Sequence, residues 1–280
     1  MPVPTVNCDK IEPVSETASS LQYDLRMFEA SPFSLNMFQQ CPRQYKFQYI
    51  DHLGDIYRKS RPYFTMGDHI HAALKDFLSV VPVSERNLTR LEDLLREKWR
   101  RNRKGFNGRE DEKRWGEKAL SQLRWFVQNQ DISVMPFMIE NNHRAELTDN
   151  ILLKGRIDRV DKEADGSLHI IDYKTGKMPA EINQLQLHIY ALILSKKQDL
   201  PPRKASYLYL EAGKFQTIEL TAADLAQATS YVINMVDKIC TEREYPTTPN
   251  IYCWNCDFLE ICPSKEEAAK FTADEDELDS

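Results

Sequence analysis

"HIIDYKTGK", residues His169–Lys177, reads as a β-strand whose apolar run stops at an acid and a base two positions apart. Side chains alternate faces along a strand, so Leu168, Ile170, Asp172 and Lys174 share one. The first two sit under whatever packs on that face, and the last two emerge side by side at the strand's end. Upstream, "KGRIDRVDKE" ends a neighbouring strand with Asp158, and a short hairpin brings Asp158 beside Asp172. Two carboxylates held close repel each other and raise one pKa unless a cation sits between them. Mg²⁺, a hard cation with oxygen ligands, suits such a pair. A neighbouring lysine can then orient a water for attack on a phosphodiester and offset the charge that builds up. The plain alternative is a surface ion pair between Asp172 and Lys174, worth at most about 1 kcal/mol.

Outward from this strand, residues 137–176 alternate, are β-branched and turn at "TDN" and "ADG", which predicts three antiparallel strands. "PAEINQLQLHIYALILSKK" predicts a helix, "RKASYLYLEAGKFQTIEL" a hairpin turning near Ala212 and Gly213, and Thr221 the N-cap of a further helix. Towards the N-terminus, a helix spans about Ser34 to Asp51, with Pro42 as a turn or break. In "GDHIHAALKDFLSVV", Ile70, Ala73, Leu74 and Phe77 recur at the helical period. Residues 84–132 read as a helical hairpin insertion turned at Gly105 and Gly108, and residues 1–24 as a flexible polar start.

The 280 residues include no apolar run of the roughly 18 residues that a membrane span needs, and the N-terminus reads as no secretory signal. The expected location is cytoplasmic. No phosphate-cradling glycine-rich loop of the Walker type is present, which argues against an ATP site. The net charge of −6 is concentrated in the tail at 266–280, whose "DEDELDS" carries five acids. Arg96–Arg114 instead has nine Lys/Arg against four Asp/Glu. Local positive charge is what meets phosphates. Trp99, Phe106 and Trp115 interleave with it, either as core residues on a solvated helix or as stacking surfaces for a single strand.

Six cysteines without a secretory signal argue against a disulfide framework. "CWNCDFLEICP" spaces Cys253, Cys256 and Cys262 as a metal site short of one ligand, and Cys41 in "CPRQY" is the candidate fourth. The 212 positions between Cys41 and Cys253 cost little more to close than a shorter loop, since closure entropy grows logarithmically. Spacing alone leaves zinc and iron–sulfur open. Cys8 falls in the polar N-terminus, and Cys240 reads as a small buried hydrophobe on a helix.

"GRIDRVD", "IIDYKTGK" and "QLHIY", taken in order, resemble the RecB-like branch of the PD-(D/E)XK nucleases. The resemblance implies an α/β restriction-endonuclease-like core, a mixed central sheet flanked by helices, as one domain over 25–265 with its catalytic core at 136–243. It implies Asp158 and Asp172 as the metal-binding acids, Lys174 as the catalytic lysine, and Gln186 and Tyr190 as the Q-x-x-x-Y pair on one helix face. The branch's G-x-x-x-H at a helix start falls on Gly67 and His71, making His71 a metal ligand beside the Tyr173 backbone carbonyl; His69 would then face solvent. "S-x-L-N-x-F-x-x-C-P-R-x-Y", ending at Tyr45, and the late cysteines resemble the iron–sulfur type, including the AddB nuclease domain and the CRISPR-associated exonuclease. That implies a 4Fe–4S cluster on Cys41, Cys253, Cys256 and Cys262, with residues 250–263 as a clasp joining the N- and C-terminal segments.

The expected activity is metal-dependent DNA cleavage with Mg²⁺ or Mn²⁺, as an exonuclease on single-stranded or frayed ends, leaving 5′-phosphate and 3′-hydroxyl. The setting is DNA repair, recombination or CRISPR adaptation, with a helicase or an integrase-type protein as partner. The alternative is a DNA-binding or processing subunit with weak or no cleavage.

Overall fold

The computed structural model describes residues 27–271; the expected flexible start, Cys8 and the acidic residues from 272 onward lie outside the described residues. In chain order the elements are β1 (Phe28–Ala30), α1 (Pro32–Gln40), α2 (Pro42–Tyr45), α3 (Gly54–Tyr57), α4 (Pro62–Ser79), α5 (Leu88–Arg101) and α6 (Arg109–Asn129). Then follow β2 (Met138–Thr148), β3 (Ile151–Lys162), β4 (Leu168–Lys174), α7 (Leu185–Lys197), β5 (Pro202–Tyr209), β6 (Lys214–Glu219), α8 (Ala222–Thr241) and α9 (Lys265–Ala268). Two compact units result: one of residues 60–146 and 153–229, the other of residues 27–59, 147–152 and 230–271.

The larger unit is a mixed sheet covered on both faces. Strand β2 pairs with β3, β3 runs antiparallel to β4, β4 parallel to β5, and β5 antiparallel to β6. The parallel pair needs a crossover, and α7 supplies it. Leu168 and Ile170 of β4 pack with Leu187, Tyr190 and Leu194 of α7. Ile171 and Tyr173, on the opposite face, pack with Ile70, Leu74 and Phe77 of α4 and with Leu91, Leu123 and Phe126 of α5 and α6. The stretch expected as an insertion thus supplies one of the two helical layers. Trp99 and Trp115 pack against this core, and Trp99 stacks on Phe106 at 5.3 Å.

Two buried polar arrangements hold the unit. Arg86 lies just before α5, and its guanidinium donates to the carbonyls of Val81 (3.0 Å), Ile132 (2.9 Å), Val134 (2.7 Å) and Leu78 (2.8 Å). Leu78 is in the last turn of α4, where carbonyls have no intrahelical donor. Across the strands, Glu163 lies 3.3 Å from His169 Nδ1, His169 Nε2 2.7 Å from Ser206 Oγ, and Ser206 Oγ 2.8 Å from Thr217 Oγ1. The first three have the order of an acid–base–nucleophile relay, but Ser206 is fully buried. Out of reach of any substrate, the chain stitches β4 to β5 and β6.

In the smaller unit, the expected helix 34–51 begins earlier, at Pro32, with Ser31 and Ser34 as a reciprocal capping box. Pro42 breaks it, and the chain resumes as α2 and a π-helical stretch, Lys46–Ile50. Phe28 N–H of β1 donates to Asn150 O at 2.8 Å. Cys240 is buried as expected, but it is also disulfide-bonded, which the apolar reading did not foresee. Among the described residues no helix is long and apolar enough to cross a membrane.

Candidate active site and cysteine cavity

The β3–β4 register pairs Arg159 with Ile171. One step further sets Asp158 opposite Asp172, and both side chains are buried. Asp158 Oδ1 lies 3.0 Å from His71 Nδ1 of α4, and Asp158 Oδ2 accepts the Tyr173 N–H at 2.9 Å. Gln186, in the first turn of α7, joins the rest. Its Nε2 donates to Asp172 Oδ1 (3.0 Å) and to Tyr190 OH (2.7 Å), and its Oε1 accepts from Lys174 Nζ (2.7 Å). Lys174 Nζ also stands 2.7 Å from Asp172 Oδ2 and 4.7 Å from the centre of the Tyr207 ring.

The larger unit therefore brings His71, Asp158, Asp172, Lys174, Gln186 and Tyr190 together at the end of the β3–β4 hairpin. Burial pushes the Asp172 carboxyl up to about 6; Lys174 pulls it back, and the Asp158 charge adds to the rise. For His71, burial favours the neutral ring, but the Asp158 carboxylate more than offsets it and the pKa is raised.

Four residues depart from the sequence reading or were missed by it. His69, expected in solvent, is buried: its Nε2 lies 2.8 Å from Asn102 O and its ring packs on Trp99 at 5.2 Å. It points away from His71 into the α4–α5 contact. Gly67, expected at a helix start, falls in the second turn of α4, because Pro62 starts the helix earlier. A side chain there would lie 3.2 Å from Thr175 Oγ1, so the missing Cβ lets α4 pass close to the residue after Lys174. Gly155 was not singled out. A Cβ on it would meet Tyr190 Cε1 at 2.6 Å, so only glycine leaves room for the ring that anchors Gln186. A glycine inside a strand pattern, where another group approaches the backbone, was the available signal. Tyr207, under the Lys174 ammonium, was also missed; it reaches Lys174 only through the β4–β5 pairing.

Among the described residues no group of three or more His, Cys, Asp or Glu side chains stands arranged for a metal ion. The site's donors instead bond to one another and to Gln186 and Lys174. Their chemistry nonetheless fits a divalent cation. Two carboxylates and an imidazole meet there, and the buried Asp172 Oδ2 has the Lys174 ammonium at 2.7 Å as its partner, a cation where a metal ion would add another.

In the smaller unit Cys41, Cys253, Cys256 and Cys262 are all free and half-buried, and they line one cavity together with Phe47 and Phe258. Burial pushes the Cys256 thiol up to about 11, against a backbone hydrogen bond from Phe258 and helped by the other three sulfurs. Burial raises Cys253 as well, while Asn250 N–H donates to its sulfur at 3.3 Å. Four free thiols that share one cavity are a donor set that fits a cationic thiolate-bound group.

The mixed open sheet flanked by helices is of the restriction-endonuclease-like kind. The family model of the PD-(D/E)XK nuclease superfamily matches residues 29–263, and the chain belongs to that superfamily. It is thus a nuclease by family, in a superfamily that works with divalent metals. Among solved structures, a protein of Eubacterium rectale provisionally described as an exonuclease is similar in fold, with TM-score 0.51, 13% identity, and coverage of 91% of this chain and 94% of that one. The structure of SSO0001 matches with TM-score 0.44 and 16% identity over 85% of this chain and 86% of that one. No curated protein matches the sequence.

Proposed function

We propose that this chain is a metal-dependent deoxyribonuclease that trims single-stranded or frayed DNA ends, in repair, recombination or CRISPR adaptation. The observation that carries the reading is the Gln186 bridge, which couples the buried Asp172 to Lys174 at the mouth of the β3–β4 hairpin. Asp158, Asp172, His71 and the Tyr173 carbonyl would hold Mg²⁺ or Mn²⁺. A cation bound there supplies Lewis-acid polarisation and charge neutralisation. Lys174, held by Gln186 and Asp172, orients the attacking water and offsets charge on the phosphate oxygens. Tyr190 fixes Gln186 from behind. The test is digestion of end-labelled single- and double-stranded DNA. Cleavage is expected with either metal and none in a chelator, with Mn²⁺ ahead because imidazole is a softer ligand than oxygen. Cleavage that survives chelation would overturn the reading, as would none with either metal.

The same proposal places a 4Fe–4S cluster on Cys41, Cys253, Cys256 and Cys262, as a structural staple. Four free thiols around one cavity and a backbone N–H on the Cys253 sulfur support it. Anaerobically purified protein should be brown, with broad absorbance in the blue, and Cys256→Ser should lose both iron and colour. A colourless protein carrying zinc would replace the cluster with a zinc site.

A further inference from the structure

Glu140 stands out in the larger unit. Its φ is +33°, in the left-handed region that a side chain adopts only under constraint. Its carboxylate is nearly buried and touches two cations: Lys75 Nζ at 3.1 Å and Arg156 Nη1 at 3.8 Å. Both cations remain about half exposed. Lys75 lies one helical turn beyond His71 on the same stripe of α4. Arg156 lies two residues before Asp158, so the two share a face of β3. Each cation is therefore the immediate neighbour of one residue of the proposed metal pair.

We infer that Lys75 and Arg156 form a subsite for a backbone phosphate of the bound strand, next to the phosphate that is cut, and that Glu140 stands in for that phosphate in the free protein. The inference rests on the nuclease reading for its placement. A carboxylate held between an ammonium and a guanidinium presents the same anionic oxygens that a phosphodiester would. The entering strand takes over the two cations, and Glu140 sets a charge cost that a neutral or weakly charged ligand cannot repay.

The test is binding of a fluorescein-labelled oligo-dT strand, followed by anisotropy in a chelator over a salt series. The double variant K75M/R156M should lower the slope of log Kd against log salt by about 0.7, one phosphate's worth on a single strand. E140Q should bind the strand more tightly, by up to about 5-fold, the upper range for an exposed ion pair. An unchanged slope in the double variant overturns the inference, and so does an E140Q that binds no tighter. A lowered thermal midpoint with unchanged slope would make the trio a clasp between α4 and the strands. Cleavage by the wild type against Asp172→Asn is scored separately. Loss of the nuclease reading shows there, whereas loss of the subsite shows only in the salt series.

Discussion

Lys174→Met should lower the rate of DNA cleavage by a factor of about 10²–10⁴, the range for removing a positioned proton-transfer group or a charge-stabilising donor. The substitution keeps most of the aliphatic stem and removes the ammonium that lies over Tyr207 and that Gln186 and Asp172 hold. Single-turnover cleavage under saturating DNA isolates the effect on the chemical step. Affinity should change little, since one cation among many contributes weakly to binding. A surface ion pair predicts something else: the loss of at most about 1 kcal/mol of stability and no change in rate. Equal rates for variant and wild type would leave the proposed mechanism without its lysine.

Arg86→Met should cost the larger unit about 3–5 kcal/mol. The guanidinium serves four carbonyls, each worth more than an ordinary hydrogen bond because the donor is charged. Methionine fills the space but leaves those acceptors buried without donors. Against a typical total of about 5–15 kcal/mol, the loss is large. Urea unfolding checks it: the midpoint should fall while the slope with denaturant stays the same. Arg86→Lys should lie between the two, since an ammonium keeps the charge but cannot fork to four acceptors. A loss below about 1 kcal/mol would mean that water or a shift of the loop replaces the guanidinium.

Arg86 also shows where the sequence was hard to read. It sits in "SERN", in a charged stretch that a residue-by-residue reading places on a solvated face. Its burial depends on the chain returning through Ile132 and Val134 after α6, which no local pattern announces. Asp158, Asp172 and Lys174 were easier, because strand alternation and a short hairpin bring them together through nearby sequence. Gln186 and Tyr190 came from the resemblance to the Q-x-x-x-Y helix; their spacing alone says only that they share a helix face. Tyr207 was out of reach: its place under Lys174 depends on the parallel β4–β5 register, set across a crossover. His69 was misjudged because α4 has a second apolar neighbour in α5. The start of α7 was placed too early, since 179–184 stays outside the helix, with Asn183 accepting from Leu185 N–H and its carbonyl from Tyr207 OH.

Gln186 has one further implication. Its amide gives a proton to one charged neighbour and takes one from the other, so rotating the group by half a turn would set nitrogen against ammonium and oxygen against carboxylate. The side chain is thereby locked to a single orientation, and it in turn fixes how far apart Asp172 and Lys174 can drift. A glutamate of the same size could satisfy only the lysine, so this position does not tolerate a negative charge in place of the amide.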